Sequence, residues 1–259
     1  MIYGANDFFT DEQIQRMIAV SNPSALVAGS NSPCVIAFGG SDQPGTSWGS
    51  INPAVAFGSF IANGGEIPNI SSASLNDAAA GTGLQSIKFY GWDASGAWIN
   101  DTVITAGITP VAFSKAFASI YFPATEIVST GIDGTNAGIL RLQNATAGII
   151  GGASATYSSF NTAAFKVPPG HTFQIVKVIF EKDTTTAGTL GRVRYQLGGT
   201  GEWQILGPSP VVMGIGQTEF RPLPVVMPAN TNIDVQTIGP GGSGTPIMGA
   251  TVYGLLYKS

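Results

Sequence analysis

The chain has 259 residues, 44% of them hydrophobic, with 14 Phe and 4 Trp, but only 10% are charged and the formal net charge is −4. That is enough apolar material for one large or two ordinary cores, and the acidic balance leaves no electrostatic footprint for DNA or RNA. The lone cysteine, Cys34, and the lone histidine, His171, exclude an intramolecular disulfide and a cysteine–histidine metal knuckle.

Met1 to Gln13 lacks a basic region followed by an apolar run, and no stretch of about 18 apolar residues occurs. Neither a secretory signal nor a membrane span is therefore expected, and folding is expected in a cytoplasm, where the sequons at Asn69, Asn100 and Asn144 carry no weight. Thr10-Asp11-Glu12-Gln13 has the form of a capping box. It predicts one short helix with Ile14, Met17 and Ile18 on a shared face, closed by Asn22-Pro23. Such a helix can plug its own domain or dock onto a neighbouring subunit. Val35 to Phe38 is short enough for a strand, Gly39 to Ser50 reads as a loop, and Ala54 to Asn63 fits a strand or a helical turn.

The small-residue run Ser71 to Gly83 buries little apolar area, so its shape should depend on neighbours. Next comes a hairpin: Ile87, Phe89 and Gly91 alternate with Lys88, Tyr90 and Trp92, Asp93 to Gly96 turns, and Ala97 to Ile104 returns. Further short strands are expected at 108–113, 119–122, 126–129 and 139–142, and the Gly/Ala-rich segment Asn144 to Ser154 marks a composition boundary. In the second half His171 to Phe180 carries apolar residues on both faces, Phe173 and Ile175 on one, Val176, Val178 and Phe180 on the other. Thr184 to Gly191 turns, and Arg192 to Leu197 alternates as a half-buried strand. Strands at 202–206, 220–227, 233–236 and 250–257 complete the set. The expected class is all-β, two β-sandwich (jelly-roll-like) domains with one short N-terminal helix. The segments are 1–23 for the N-terminal helix, 24–150 for the first sandwich and 151–259 for the second.

The run Ser74 to Gly83 followed by Ile87 to Phe113 resembles a recurrent segment in virion structural proteins of tailed phages of aquatic bacteria, and Phe165 to Thr172 through Val252-Tyr253-Gly254 looks like their companion domain. The resemblance covers most of the chain after residue 60. It implies a virion component, with capsid decorations, head fibres and tail adhesins all sharing such domains.

Candidate chemistry is sparse. His171 follows Pro168-Pro169-Gly170 into a strand, where a structural role outweighs a Ser–His–Asp triad. Glu181 and Asp183 are weighed as a carboxylate pair against a solvated turn, which is favoured. No nucleophile elbow, Walker loop or dinucleotide fingerprint occurs in a strand–turn–helix context. The expectation is a non-enzymatic protein without cofactor or metal, assembled in the host cytoplasm onto the capsid surface as a decoration or cement protein. Its partners would be the major capsid protein and copies of itself in a homotrimer, without nucleic acid or membrane. Phe8, Phe9, Ile14, Met17 and Ile18 are the expected contact residues. The alternative is a tail or head-fibre adhesin recognising host glycan on Tyr90, Trp92 and Trp98, although core packing explains these tryptophans equally well.

Overall fold

The computed structural model describes residues 34–42, 45–52, 57–156, 159–160, 162–183, 189–207, 211–212, 216–220, 222, 225–239 and 247–259. The helix expected from Thr10 and the five contact residues Phe8, Phe9, Ile14, Met17 and Ile18 lie outside this set. Among the described residues the chain is all-β, with nineteen strands, numbered here in chain order, two three-residue 3-10 turns and no α-helix.

Every strand pair is antiparallel, and the strands fall into four sheets. The first runs β1 (Cys34–Asp42), β19 (Met248–Lys258), β12 (His171–Lys182), β16 (Gly216–Phe220), with β17 (Val226–Met227) also on β12. The second runs β11 (Ala164–Lys166), β18 (Asn232–Ile238), β13 (Leu190–Gln196), β14 (Gln204–Ile205), with β15 (Val211–Val212) on β13 and β2 (Gly49–Ser50) on β18. The third runs β10 (Ile149–Ala153), β9 (Leu140–Gln143), β3 (Asn69–Ser72), β6 (Val111–Ala112). The fourth places β4 (Leu84–Trp92) between β5 (Trp98–Ile104) on one side and β7 (Ser119–Ile120) and β8 (Glu126–Thr130) on the other.

The named strands between 69 and 153 pair only among themselves, whereas strands after 163 pair with one another and with β1 and β2. The first strands thus leave the expected 24–150 segment and join sheets otherwise built from the last third of the chain. The way out and back is specific. Along β18, Gln236 lies opposite Ser50 and Asp234 opposite Ala164. Between them Val235 accepts from the Ile51 amide at 3.0 Å and donates to the Ala163 carbonyl at 3.0 Å. Ile51 and Ala163 therefore share one place opposite Val235, one giving its N–H and the other its C=O, as a single strand residue does. The Ala163 amide also donates to the Ile51 carbonyl at 3.0 Å. One strand is interrupted there, and residues 52–162 leave and return through the gap.

Two cores follow. One lies between the first two sheets, where Ile36, Phe38, Phe173, Val178, Phe180 and Val252 meet Phe165, Val193, Ile233 and Val235. The other lies between the remaining two sheets, around Phe89, Leu84, Ile87, Ile70, Leu140 and Leu142. The apparent two-faced apolar pattern of β12 is a bulge: pairing with β19 shifts register between Ile175 and Lys177, so Phe173 and Ile175 before it and Val178 and Phe180 after it enter the same core. Gly254 opposite Ile175 admits the Phe173 ring, since a Cβ there would lie 2.2 Å from it.

The cores are joined by the far end of the predicted hairpin. Its turn forms as expected, with Asp93 Oδ1 accepting from the Ser95 and Ala97 amides at 2.8 and 3.0 Å and Gly96 at φ 78°. Trp92 is only 1% exposed and packs in the core of the first two sheets, 6.2 Å from Phe165 by ring centroids. The Tyr121 hydroxyl donates to the Ala37 carbonyl at 2.9 Å, covering the open edge of β1, and Ser119 Oγ donates to the Lys166 carbonyl at 2.6 Å.

Candidate interaction surface

The acidic side chains and the histidine are the first place to seek chemistry, and several of the described ones are tied into the scaffold. Asp77 is fully buried: Oδ1 accepts from the Leu84 and Ala137 amides, both at 2.7 Å, and Oδ2 from Ser72 Oγ at 2.5 Å and the Gly138 amide at 2.9 Å. Buried Asp101 accepts from the Ser114 and Lys115 amides at 2.6 and 2.9 Å and pins the chain after β6. His171 Nδ1 lies 2.8 Å from the Pro169 carbonyl oxygen, and burial lowers its pKa. Glu181 and Asp183 border a cleft of about 330 Å³ with Ser41, Gln217 and Gly249. Glu181 Oε1 accepts from Gln217 Nε2 at 2.8 Å and Asp183 Oδ1 from the Ile247 amide at 3.0 Å. Burial raises the Cys34 thiol to about 11, so it is protonated at neutral pH. Among the described residues no three His, Cys, Asp or Glu side chains gather as metal ligands, and no helix is long and apolar enough to cross a membrane.

The three predicted platform aromatics separate. Trp92 is sealed in the core and offers no face to a ligand. Tyr90 and Trp98 are half-buried and stacked, centroids 6.0 Å apart at 21°, and Trp92 packs edge-on beneath Trp98 at 4.6 Å. Tyr90 donates from its hydroxyl to Glu126 Oε2 at 2.8 Å, and Lys88 Nζ lies 4.9 Å over its ring. A platform here reduces to Tyr90 and Trp98. Trp92 falls on the Lys88–Tyr90 side of the period-2 pattern, but at the strand's end the adjoining sheets close over both sides.

At the opposite end of β4 the surface changes character. Leu75, Ile104, Ile108, Val128 and Ile132 are all exposed, with Ile132 at 90% and Leu75 at 71%. Short contacts bring these residues to one end of the inserted unit. Ile104 pairs across from Ser86, and Ser129, next to Val128, pairs on Ser86's other side. A Cβ on Gly107, beside Ile108, would lie 3.0 Å from Leu75 Cα. The Gly131 amide, beside Ile132, donates to the Gly83 carbonyl at 2.8 Å. This tip stands about 26 Å along β4 from Trp92, at ~3.3 Å per residue. Three of its residues occupy the same local setting, a single large aliphatic in a turn: Ser74-Leu75-Asn76, Gly107-Ile108-Thr109 and Gly131-Ile132-Asp133. Sequence reading passed over them because Leu75 and Ile132 sit in runs of small and polar residues and Ile108 opens the strand expected at 108–113. An unshielded aliphatic recurring in three such turns is the signal that was present.

No family model matches the chain, and no curated protein matches it. Among solved structures, it is similar to that of infectious bursal disease virus Gt strain, at 10% identity and TM-score 0.27, covering 88% of this chain and 72% of the other. The infectious bursal disease virus VP2 subviral particle aligns at 10% identity and TM-score 0.25 over 93% and 77%. The T=1 particles derived from the same virus align at 9% and 0.24 over 93% and 74%. At such scores the likeness transfers no residue role and no activity.

Proposed function

We propose that this chain is a non-enzymatic virion structural protein, a decoration or cement protein on a capsid surface, bound to the major capsid protein and to copies of itself as a homotrimer. The observation that carries this reading is the apolar tip. Leu75, Ile104, Ile108, Val128 and Ile132 are all exposed near one end of β4 on a chain with only 10% charged residues, and large aliphatics gathered at one end of a molecule mark a contact surface. Covering each such side chain contributes about 1.5–3 kcal/mol, before the entropy of association is subtracted. The mechanism is thus burial across a junction between shell subunits, adding area against internal pressure.

The architecture suits that role. The orders β1-β19-β12-β16 and β11-β18-β13-β14 support a jelly-roll-like sandwich, interrupted inside one strand by a second sandwich that carries the tip outward. In this reading the two units are 34–52 with 163–259, and the insertion between them. Phe8, Phe9, Ile14, Met17 and Ile18 remain a second proposed contact set, and the resemblance of the Ser74 to Gly83 segment to phage virion proteins supplies the phage setting. The second reading, an adhesin for host glycan, is favoured by one observation: the half-exposed Tyr90–Trp98 stack beside Lys88 and Glu126.

Cryo-electron microscopy of intact particles tests both. Cement is expected to give density across capsomer junctions with Leu75 and Ile132 covered. Density confined to the tail or to fibre ends overturns it and moves the weight to glycan binding by Tyr90 and Trp98.

A further inference from the structure

The outer face of the β11-β18-β13 sheet carries a strip that neither the apolar tip nor the Tyr90–Trp98 corner uses. Arg192 and Arg194 project from β13 on the side away from the core, to which Val193 belongs. Arg192 Cζ lies 4.1 Å over the Trp48 ring, and Arg194 Cζ lies 4.0 Å over the Trp203 ring. Each guanidinium is also anchored across the sheet. Arg192 donates from Nε and Nη2 to Gln236 Oε1 at 3.0 and 2.7 Å. Arg194 donates from Nε to Asp234 Oδ2 at 2.8 Å, where Ser50 Oγ also donates at 2.8 Å. These bonds leave Arg192 Nη1 and both terminal nitrogens of Arg194 without a protein partner among the described residues.

Two features make this more than a structural ladder. Two cations face one carboxylate, so the strip keeps an excess positive charge on an acidic chain; burial and then the like charge of Arg194 lower the Arg192 pKa. The forks are held by stacking and by their anchors, so little side-chain entropy is lost when a ligand arrives. Asp234 is fully buried, and its Oδ1 and the Oδ1 of Asn232, two positions along the same strand face, have no hydrogen-bond partner. Both orphans are acceptors sealed from solvent, so they call for a donor and take no part in holding an anion.

We propose that Arg192 and Arg194, flanked by Trp48 and Trp203, form a binding site for the carboxylate of an acidic saccharide. Terminal guanidinium nitrogens receive the carboxylate in the paired geometry that a fork favours. Trp48, covered by Arg192 on one face and touched by no other aromatic ring among the described residues, supplies a flat apolar surface beside it. A uronic acid presents a C–H ring face next to its carboxylate and meets both. An acidic peptide meets only the fork. The site stands independently of the virion reading, which concerns the opposite unit and is tested by position on the particle.

Isothermal titration of the full chain decides it, with oligogalacturonate, its methyl ester and poly-glutamate as probes. Oligogalacturonate is expected to bind, more weakly as salt is raised, and the ester at least tenfold more weakly. Arg192→Met carries the variant test because Arg192 is anchored to neutral Gln236, so its removal leaves no buried charge unpaired. It should lose at least tenfold in affinity while keeping a cooperative melt, at a midpoint lowered by the Gln236 acceptor it leaves unpaired. Arg192→Lys, which keeps the charge without the fork, should recover only part of the loss. Poly-glutamate binding as tightly as the uronate overturns the saccharide assignment in favour of an acidic protein segment. Equal binding of the ester, or no binding of any probe, overturns the site.

Discussion

Asp77 ties together three segments: the end of β3 through Ser72, the start of β4 through Leu84, and, 60 residues further on, the loop at Ala137 and Gly138. The small-residue run around it has no apolar payload, and its glycines are required because backbone passes backbone. A Cβ on Gly81 would lie 2.0 Å from the Asn76 carbonyl oxygen. Asp77→Ala would strand four buried donors at a desolvation penalty of roughly 1–3 kcal/mol each. The expected loss is more than about 3 kcal/mol in a urea titration, whereas the same change at exposed Asp133 should cost less than about 0.5 kcal/mol. Equal losses would show that the Asp77 bonds do not organise the run. Lys166 gives a residue-scale prediction in pH. Its amine is buried, donates to the Ile61 carbonyl, and burial lowers its pKa to about 8 from its ordinary 10.5. The folded chain thus releases this proton before the unfolded chain does, so between those values the unfolded state binds more protons and stability rises with pH. Urea midpoints should climb from about pH 8 to about pH 10, by on the order of 1–3 kcal/mol in total, and Lys166→Met should flatten that climb. An unchanged slope in the variant would assign the rise to other groups.

Single elements carry the coupling between the two cores. Trp92 belongs to β4, a strand of the inserted unit, yet packs with Phe165, Trp98, Tyr121 and His171 in the other core. Trp92→Ala should destabilise that core by about 3–5 kcal/mol and split one calorimetric transition into two, the inserted unit melting on its own. A single transition at lower temperature would mean that Tyr121, Ser119 and Lys166 suffice to hold the units together. The same elements show where the sequence was informative. The hairpin was legible because it is local: the alternation from Ile87 to Trp92, the Asp93 to Gly96 turn chemistry and the return from Trp98 all lie within one window. The β12 bulge was not, because an extra residue at Val176 exchanges the two faces of a period-2 pattern. A one-dimensional reading takes that for a strand buried on both sides. Of β1 only Val35 to Phe38 was legible, and the strand runs on to Asp42 through what reads as a loop; its partner β19 lies more than two hundred residues away in sequence, and no local pattern names such a partner. The tip was hidden for a third reason: Leu75, Ile108 and Ile132 sit singly in turns, where periodicity has nothing to measure, while Ile104 and Val128 lie in strands, where exposure depends on the sheet pairing.

On the scale of the whole molecule, the interrupted strand is the organising fact. Ser50 opposite Gln236 and Ala164 opposite Asp234 leave room for one residue opposite Val235, the place that Ile51 and Ala163 share. The ends of the inserted unit are therefore as close as neighbours in a strand, the geometry in which a domain can be inserted without disturbing its host. Joining Ile51 directly to Ala164 should restore a continuous strand of the same register. The host core would lose Trp92 and the edge cover that Tyr121 gives to Ala37, so the shortened chain should keep a β-rich circular dichroism spectrum and a cooperative melt at reduced temperature. Removing Trp92 alone sets that penalty at about 3–5 kcal/mol, and a hydrophobic residue at a neighbouring core position should recover part of it. A shortened chain without cooperative unfolding would mean that the host sheets depend on the insertion for more than the Trp92 contact. The four sheets would then form one folding unit, with the apolar tip as its extension rather than a separable module.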